Sequence, residues 1–73
     1  MMAFEGVRDF RGMQPPDPLV ETLQVVDAWT QVGQSLTAVY DRNPYLLFPE
    51  LDNRGLCYRI DIRQDGVYVN IRK

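Results

Sequence analysis

The clearest hydrophobic pattern in the sequence lies in its C-terminal third. Apolar residues recur at every second position on both sides of the turn sequence Gln64-Asp65-Gly66. Such alternation around an Asp-Gly turn predicts a β-hairpin with one buried face. We expect that face to carry Leu56, Tyr58, Ile60, Ile62, Val67, Val69 and Ile71. The intervening residues would then form the opposite face of the sheet, called here the open face.

Residues 16–31 have the periodicity of an amphipathic helix. Their apolar side chains fall on one arc of a helical wheel, opposite a polar arc. The apolar arc consists of Leu19, Leu23, Val26 and Trp29. Gly33 follows this arc and is expected to cap the helix at its C-terminus, where a left-handed conformation favours glycine. Residues 4–9, which precede the helix, predict a short and weakly apolar first strand.

A second strand and a second helix are expected before the hairpin. Residues 35–41 are apolar on both faces and rich in β-branched and aromatic side chains, which is typical of a central strand. Asn43, followed by a proline, predicts the N-cap of a helix that ends near Gly55. Pro49 lies inside this helix and is expected to distort its first turn. The core candidates here are Leu46, Leu47 and Leu51.

The predicted elements follow one another in the order β-α-β-α-β-β across residues 1–73. Two β-α units and a hairpin predict an α+β fold, a two-layer sandwich in which a four-stranded mixed sheet carries both helices on one face. Seventy-three residues are enough for one small domain with a thin core. We therefore expect a single domain.

Composition and charge argue against most enzyme classes. The chain has no histidine and one cysteine, and its net charge is -2. Without histidine there are no Ser-His or Cys-His nucleophile pairs and no common zinc sites, so we expect no metal and no cofactor. The negative charge disfavours binding to nucleic acid or to an acidic membrane. The lone cysteine and the absence of long apolar segments favour a cytoplasmic protein without a signal peptide.

Residues 11–18 contain three prolines within four positions and are called here the proline ramp. Their sequence is Arg11-Gly12-Met13-Gln14-Pro15-Pro16-Asp17-Pro18. Each proline fixes its φ angle at about −65° and removes a backbone donor, which is tolerated in the first turn of a helix. The proline ramp therefore predicts a rigid entry into the first helix.

Four motifs resemble, in their order and spacing, the TusA/SirA sulfur-carrier superfamily. Besides the proline ramp they are residues 32–36 (Val-Gly-Gln-Ser-Leu), 41–44 (Asp-Arg-Asn-Pro) and 51–55 (Leu-Asp-Asn-Arg-Gly). The resemblance covers roughly residues 7–73 and implies the fold predicted above. It is strongest to an uncharacterised branch, whose members are bacterial and cytoplasmic and in some cases lie beside hemerythrin-like domains.

The resemblance also indicates what this chain lacks. The carriers of the superfamily have Cys-Pro-x-Pro at the head of the first helix, whereas this chain has Pro15 in the place of the cysteine. A thiol at a helix N-terminus gains thiolate character, and a thiolate is what accepts persulfide sulfur. Because Pro15 has no nucleophile, we expect neither sulfur transfer at this position nor enzymatic activity.

The leading hypothesis is a non-catalytic interaction or regulatory module that keeps the sulfur-carrier scaffold and binds another protein. Its expected partner surface combines the proline ramp with the open face and consists of Arg11, Met13, Gln14, Pro15, Asp17, Arg59 and Tyr68. The main alternative is a sulfur-relay accessory protein. It would work through Cys57, in the middle of a strand, or by docking to relay partners.

A third hypothesis is RNA binding by the open face through stacking and phosphate contacts. The residues considered for it are Arg59, Arg63, Tyr68 and Arg72, with Arg8, Arg11 and Lys73 nearby. Asp61 interrupts this patch and the net charge is negative, so this hypothesis ranks last. The open face could also join two copies of the chain in a homodimer.

Overall fold

Six elements of secondary structure follow the predicted order in a computed structural model of the chain, which describes residues 5–73. They are β1 (Glu5–Asp9), α1 (Asp17–Asp27), β2 (Ser35–Tyr40), α2 (Leu47–Asn53), β3 (Cys57–Arg63) and β4 (Gly66–Arg72). The bounds of β2, β3 and β4 agree with the prediction to within one residue. Phe4, the expected start of the first strand, lies outside the described residues.

The strands form one mixed sheet in the order β1-β2-β4-β3. β1 pairs with β2 in parallel, and the other neighbouring strands pair antiparallel. Among the described residues, no helix is long and apolar enough to cross a membrane. Both helices pack on the same face of the sheet. The predicted α+β two-layer sandwich is therefore confirmed.

The core lies between the helices and the two central strands. Alternate residues of β2 and β4 pair across the ladder, so that Leu36 lies opposite Ile71 and Ala38 opposite Val69. These side chains are buried because both helices cover this face of the central strands. The most buried helix residues are Thr22 and Val26 of α1 and Leu47 and Leu51 of α2.

Three residues predicted for the core are exposed instead. Ile60 and Ile62 are 45% and 69% exposed, and Leu46 is 74% exposed. β3 is an edge strand, and α2 covers only its beginning, where the ring of Phe48 stacks on that of Tyr58 at 5.2 Å. Leu46 precedes the first turn of α2 and does not lie within it. The predicted alternation in β3 therefore holds, but its apolar face extends past the helices.

α1 ends at Asp27, before the predicted Gln31. The backbone N–H groups of Ala28 and Trp29 donate to carbonyl oxygens three residues earlier instead of four. Such bonds tighten the last turn of a helix. Gly33, the predicted cap, has a φ of 99°, but its N–H donates to the carbonyl oxygen of Lys73 at 3.3 Å. Gly33 therefore stabilises the turn before β2 and does not cap α1.

α2 begins at Leu47, so the predicted N-cap at Asn43 is wrong. Leu46 is the N-cap and makes no side-chain cap hydrogen bond. Pro49 is the third residue of the helix. A backbone N–H at this position has no acceptor within the helix, so a proline there removes no helical hydrogen bond. The proline is therefore accommodated because the helix starts later than the sequence suggested, after an irregular segment.

α2 ends in a Schellman motif that Gly55 makes favourable. The φ of Gly55 is 69°, and its N–H donates to the carbonyl oxygen of Asp52 at 3.0 Å, while the next N–H reaches that of Leu51 at 3.1 Å. Arg54, the C-cap, bonds Asp27 with an Nε to Oδ1 distance of 2.6 Å. The C-terminal ends of the two helices are therefore joined.

Candidate functional site

A groove of about 540 Å³ lies between the proline ramp and the segment that joins β2 to α2. One wall consists of Met13, Gln14, Pro15, Pro16, Pro18 and Leu19. The other wall consists of Asp41, Arg42, Asn43, Pro44, Tyr45 and Leu46, and the base consists of Phe10, Tyr40 and Leu47. Because most of these side chains are apolar, the groove presents an apolar concave surface at the head of α1.

Two large apolar side chains on one wall of the groove are open to solvent. Tyr45 and Leu46 are each 74% exposed, and Met13 on the other wall is half-buried. Exposed apolar residues grouped around a concave surface are typical of binding sites. Tyr45 and Leu46 are not among the seven residues predicted for the partner surface. The signal that could have placed them there is Pro49, which delays the start of α2.

One hydrogen bond joins the proline ramp to the opposite wall of the groove. The N–H of Gly12 donates to Oδ2 of Asp41 at 2.6 Å, and Gly12 has a φ of 85° that suits glycine. The N–H of Met13 donates to the carbonyl oxygen of Phe10 at 3.2 Å. The peptide bond between Pro15 and Pro16 is cis. The bond from Gly12 to Asp41 holds the proline ramp to the opposite wall.

A buried pair of hydroxyl groups holds α1 against the base of the groove. Oγ1 of Thr22 lies 2.8 Å from the carbonyl oxygen of Pro18 and 2.6 Å from the hydroxyl oxygen of Tyr40. Since the single hydroxyl proton of Thr22 goes to the carbonyl, Tyr40 donates to Thr22. Burial raises the pKa of Tyr40 to about 12. The ring of Phe10 stacks on Tyr40 at 5.5 Å.

Pro15 lies exposed at the entry to α1, in the position that the resemblance gives to a cysteine. Pro16 is the N-cap, and Pro18 lies in the first turn. Because prolines lack an N–H, the first turn offers fewer donors to an anion than an ordinary helix N-terminus. Asp17 adds a carboxylate there and lies outside the groove. Within residues 5–73, no three potential ligand side chains are grouped to hold a metal ion.

The predicted partner surface is divided between two places. Met13, Gln14 and Pro15 line the groove. Arg11, although it belongs to the proline ramp, turns to the open face, where Nη1 lies 3.3 Å from Oδ2 of Asp65. The proline ramp therefore contributes to two surfaces rather than to one continuous surface.

Tyr68 and Arg59 lie on the open face together with Arg11. The hydroxyl of Tyr68 donates to Oδ2 of Asp65 at 2.9 Å, so the carboxylate joins Tyr68 to Arg11. This hydrogen bond raises the pKa of Tyr68 above its usual value. Arg59 lines a shallow hollow beside Tyr68. These three predicted residues are thus neighbours, but they do not border the groove.

Acidic side chains neutralise two of the arginines on the open face. Nη2 of Arg11 lies 2.8 Å from Oδ2 of Asp9, and hydrogen bonds from Arg11 lower the pKa of Asp9 to about 2. Nε of Arg63 lies 2.7 Å from Oδ2 of Asp61, and its guanidinium carbon lies 4.3 Å from the ring centre of Tyr68. These contacts compete with phosphate for both guanidinium groups, which weakens the RNA hypothesis.

Two basic residues expected near the open face lie elsewhere. Arg8 aligns with Ala38, whose side chain faces the helices. Nζ of Lys73 donates to the carbonyl oxygen of Trp29 at 3.3 Å, beyond the end of α1. The basic patch of the open face is therefore smaller than the sequence indicated.

Cys57 is a free and exposed cysteine. It is the first residue of β3, not a residue in the middle of the strand, and it aligns with Arg72 of β4. The groove lies at the other end of the sheet, where Tyr40 aligns with Val67. A strand of this length spans about 20 Å. The thiol is therefore separated from the groove by most of the length of the sheet.

Comparison with known proteins indicates both a family and a fold. Over residues 7–73 the chain matches a family described as "Uncharacterized conserved protein (DUF2249)". Its structure is similar to the crystal structure of a SirA-like protein from Desulfitobacterium hafniense, with a TM-score of 0.80 and 16% sequence identity over 92% of this chain and 95% of that one. No match was found among curated proteins. The chain therefore has a SirA-like fold.

Proposed function

The chain belongs to the family of uncharacterised conserved proteins that it matches over residues 7–73, and from this premise we propose that it is a non-catalytic interaction or regulatory module. It binds another protein through the groove at the head of α1. We place it in a branch of the TusA/SirA superfamily that lacks the carrier cysteine. The support for this placement is Pro15, which stands where those carriers have their cysteine.

The observation that carries the proposal is the chemistry of the groove. Its lining includes neither cysteine nor histidine, so it has no thiol for sulfur chemistry and no imidazole base. It does offer Tyr45, Leu46 and Met13, which a partner would remove from water. Fully burying a side chain of the size of leucine or methionine contributes about 1.5–3 kcal/mol. The groove is therefore better suited to binding than to catalysis.

The rigidity of the groove supports the same proposal. Prolines fix the backbone of one wall, and the hydrogen bond from Gly12 to Asp41 joins it to the other wall. A surface that is already ordered loses less conformational entropy when a partner binds. An apolar groove with fixed walls thus provides a preformed docking surface.

The test is affinity capture from the source organism with matched variants as bait. Tyr45→Ser and Leu46→Ser remove apolar side chains from the groove, whereas Val32→Ser removes an apolar side chain that is 89% exposed and outside it. We expect one protein to be captured by the wild type and by Val32→Ser but not by the groove variants. Equal capture by all four baits would place the partner surface elsewhere.

A second candidate function is that of a sulfur-relay accessory protein, and it is supported by the exposed thiol of Cys57. Both candidates fit a cytoplasmic protein, where such a thiol stays reduced. They differ in what Cys57→Ser would do. An interaction module keeps its partner after this substitution, whereas a relay protein that uses the thiol loses sulfur transfer to its acceptor.

A further inference from the structure

The outer edge of β3 is an unpaired sheet edge. β3 pairs with β4 on one side, and it is the last strand of the sheet. In an antiparallel ladder, alternate residues direct their N–H and C=O groups away from the neighbouring strand. Among the described residues, no backbone hydrogen bond outside the ladder involves residues 57–63. This edge is therefore a template for a further strand.

The same strand carries exposed apolar side chains on the helix-bearing face. Ile60 and Ile62 lie beyond the reach of α2, in line with Tyr58, which is half-buried against Phe48. A strand added at this edge would continue the apolar face of the sheet and cover both isoleucines. The added strand must then be apolar on the same face.

Two opposite charges on the open face of β3 flank its middle residue, Ile60. Arg59 precedes Ile60 and Asp61 follows it, so the two neighbours carry opposite charges. Arg59 has no ion pair among the described residues, whereas Asp61 bonds Arg63 at 2.7 Å. An antiparallel copy of the same strand would therefore present a carboxylate to each Arg59.

We propose that two copies of this chain pair antiparallel through β3, with Ile60 facing Ile60 of the second copy. Full pairing of the seven-residue strand then places Arg59 opposite Asp61 of the second copy, and the reverse pair forms by symmetry. It also places Tyr58 opposite Ile62 of the second copy. The product is an eight-stranded sheet that carries all four helices on one face, with a two-fold axis through the Ile60 pair.

Charge selects this register over the neighbouring one that keeps the helices on the same face. Centring the pair on Asp61 would keep the apolar residues on one face but would set Asp61 opposite Asp61, and Arg59 opposite Arg63, of the second copy. Shifting it by two residues, to Ile62, would leave only residues 61–63 of each strand paired. Directly opposed unlike charges stabilise a strand pair, and like charges destabilise it. Charged residues usually protect an edge strand from pairing. In β3 the charged residues instead attract the opposite charges of a second copy of the same strand.

The expected dimer is weak, because an edge-to-edge contact between short strands covers less than the ~1,200 Å² of a standard stable interface. Sedimentation equilibrium of the wild type should give a mass near 8.5 kDa when dilute and approach twice that value as the concentration rises to the millimolar range. A wild type that stays monomeric throughout this range would overturn the proposal.

Charge reversal in one copy at a time tests both the dimer and its register. In a dimer of Arg59→Glu, an acidic side chain at position 59 lies opposite Asp61 of the second copy. In a dimer of Asp61→Arg, two arginines lie opposite each other. Each variant alone should therefore self-associate about tenfold more weakly than the wild type. An equimolar mixture of the two variants restores both unlike pairs and should dimerise again. Arg8→Glu, a charge reversal in β1 at the opposite edge of the sheet, should associate like the wild type.

Two outcomes of the mixing experiment contradict the pairing of Arg59 with Asp61. One is a mixture that stays as monomeric as its components, and the other is a single variant that dimerises as tightly as the wild type. The variants change exposed side chains, and the lost Asp61–Arg63 contact is a surface ion pair of small energy. Circular dichroism on each variant verifies that the fold is retained, so that a loss of association reports on the interface.

Discussion

The buried hydroxyl pair of Thr22 and Tyr40 allows a direct test of how α1 is held at the base of the groove. Thr22 is fully buried, and its Oγ1 is the hydrogen-bond partner of the Tyr40 hydroxyl. Thr22→Val keeps the shape of the side chain but leaves the hydroxyl of Tyr40 without that partner. An unsatisfied buried polar group costs about 1–3 kcal/mol, so we expect the free energy of unfolding to fall by that amount.

Tyr40→Phe should cost less than Thr22→Val. The hydroxyl of Thr22 keeps its hydrogen bond to the carbonyl oxygen of Pro18, so no donor is left unsatisfied. The expected loss is about 0.5–1.5 kcal/mol, the net contribution of one hydrogen bond. The double variant has no hydroxyl group at either position, so no buried hydroxyl is left without a partner. It should therefore be no less stable than Thr22→Val alone.

Urea unfolding followed by circular dichroism measures all three free energies at one temperature. Small proteins lose about 1–3 kcal/mol of stability per molar urea, so a loss of 1 kcal/mol shifts the urea midpoint by roughly 0.3–1 M, which is resolvable. The reasoning requires the effects of the two substitutions to be non-additive. A double variant whose loss equals or exceeds the sum of the single losses would refute the coupling of the two hydroxyl groups.

Three further predictions concern the core, the end of α2 and the response to alkali. Leu47→Ala should lower the free energy of unfolding by about 2–5 kcal/mol because the side chain is fully buried. Leu46→Ala should change it by less than about 0.5 kcal/mol. Equal losses of stability in urea unfolding would contradict the observed start of α2. Gly55→Ala should lower the free energy of unfolding by about 1–2 kcal/mol because a φ of 69° is strained for alanine. No atom crowds the added methyl group, so the loss would come from the backbone alone. An unchanged unfolding midpoint would argue against the Schellman motif. Burial raises the pKa of Tyr40 from 10.0 to about 12, so the stability linked to this shift is present below pH 10 and is lost as the pH rises toward 12. The free energy of unfolding should fall over this range, and it should fall less steeply in Tyr40→Phe. Parallel pH profiles of the two proteins would contradict this prediction.

The hairpin and the central core could be predicted because local alternation records which face of a strand is buried. Val67, Val69 and Ile71 are buried as expected. Ile60 and Ile62 follow the same alternation but are exposed. Their burial depends on the position of β3 at the edge of the sheet and on the reach of α2. Neither property is encoded in the pattern of the strand itself, so the sequence could not separate the two cases.

The candidate site was predicted only in part, for a similar reason. The proline ramp was identified from its composition, and Met13, Gln14 and Pro15 do line the groove. The other wall comes from residues 41–46, which are distant in sequence and meet the proline ramp through the bond between Gly12 and Asp41. This contact depends on the parallel pairing of β1 with β2. Local signals therefore identified one wall, and the topology supplied the other.

The central proposal is that this chain has a SirA-like fold and does not carry sulfur. The most direct test is to incubate the protein with a cysteine desulfurase and its substrate and then to measure the intact mass, with a cysteine-bearing carrier as the positive control. We predict an unchanged mass for this chain while the control gains one sulfur atom, because in our proposal Pro15 stands where the carriers have their acceptor cysteine. A gain of one sulfur atom that disappears in Cys57→Ser would contradict the account and assign the chemistry to β3.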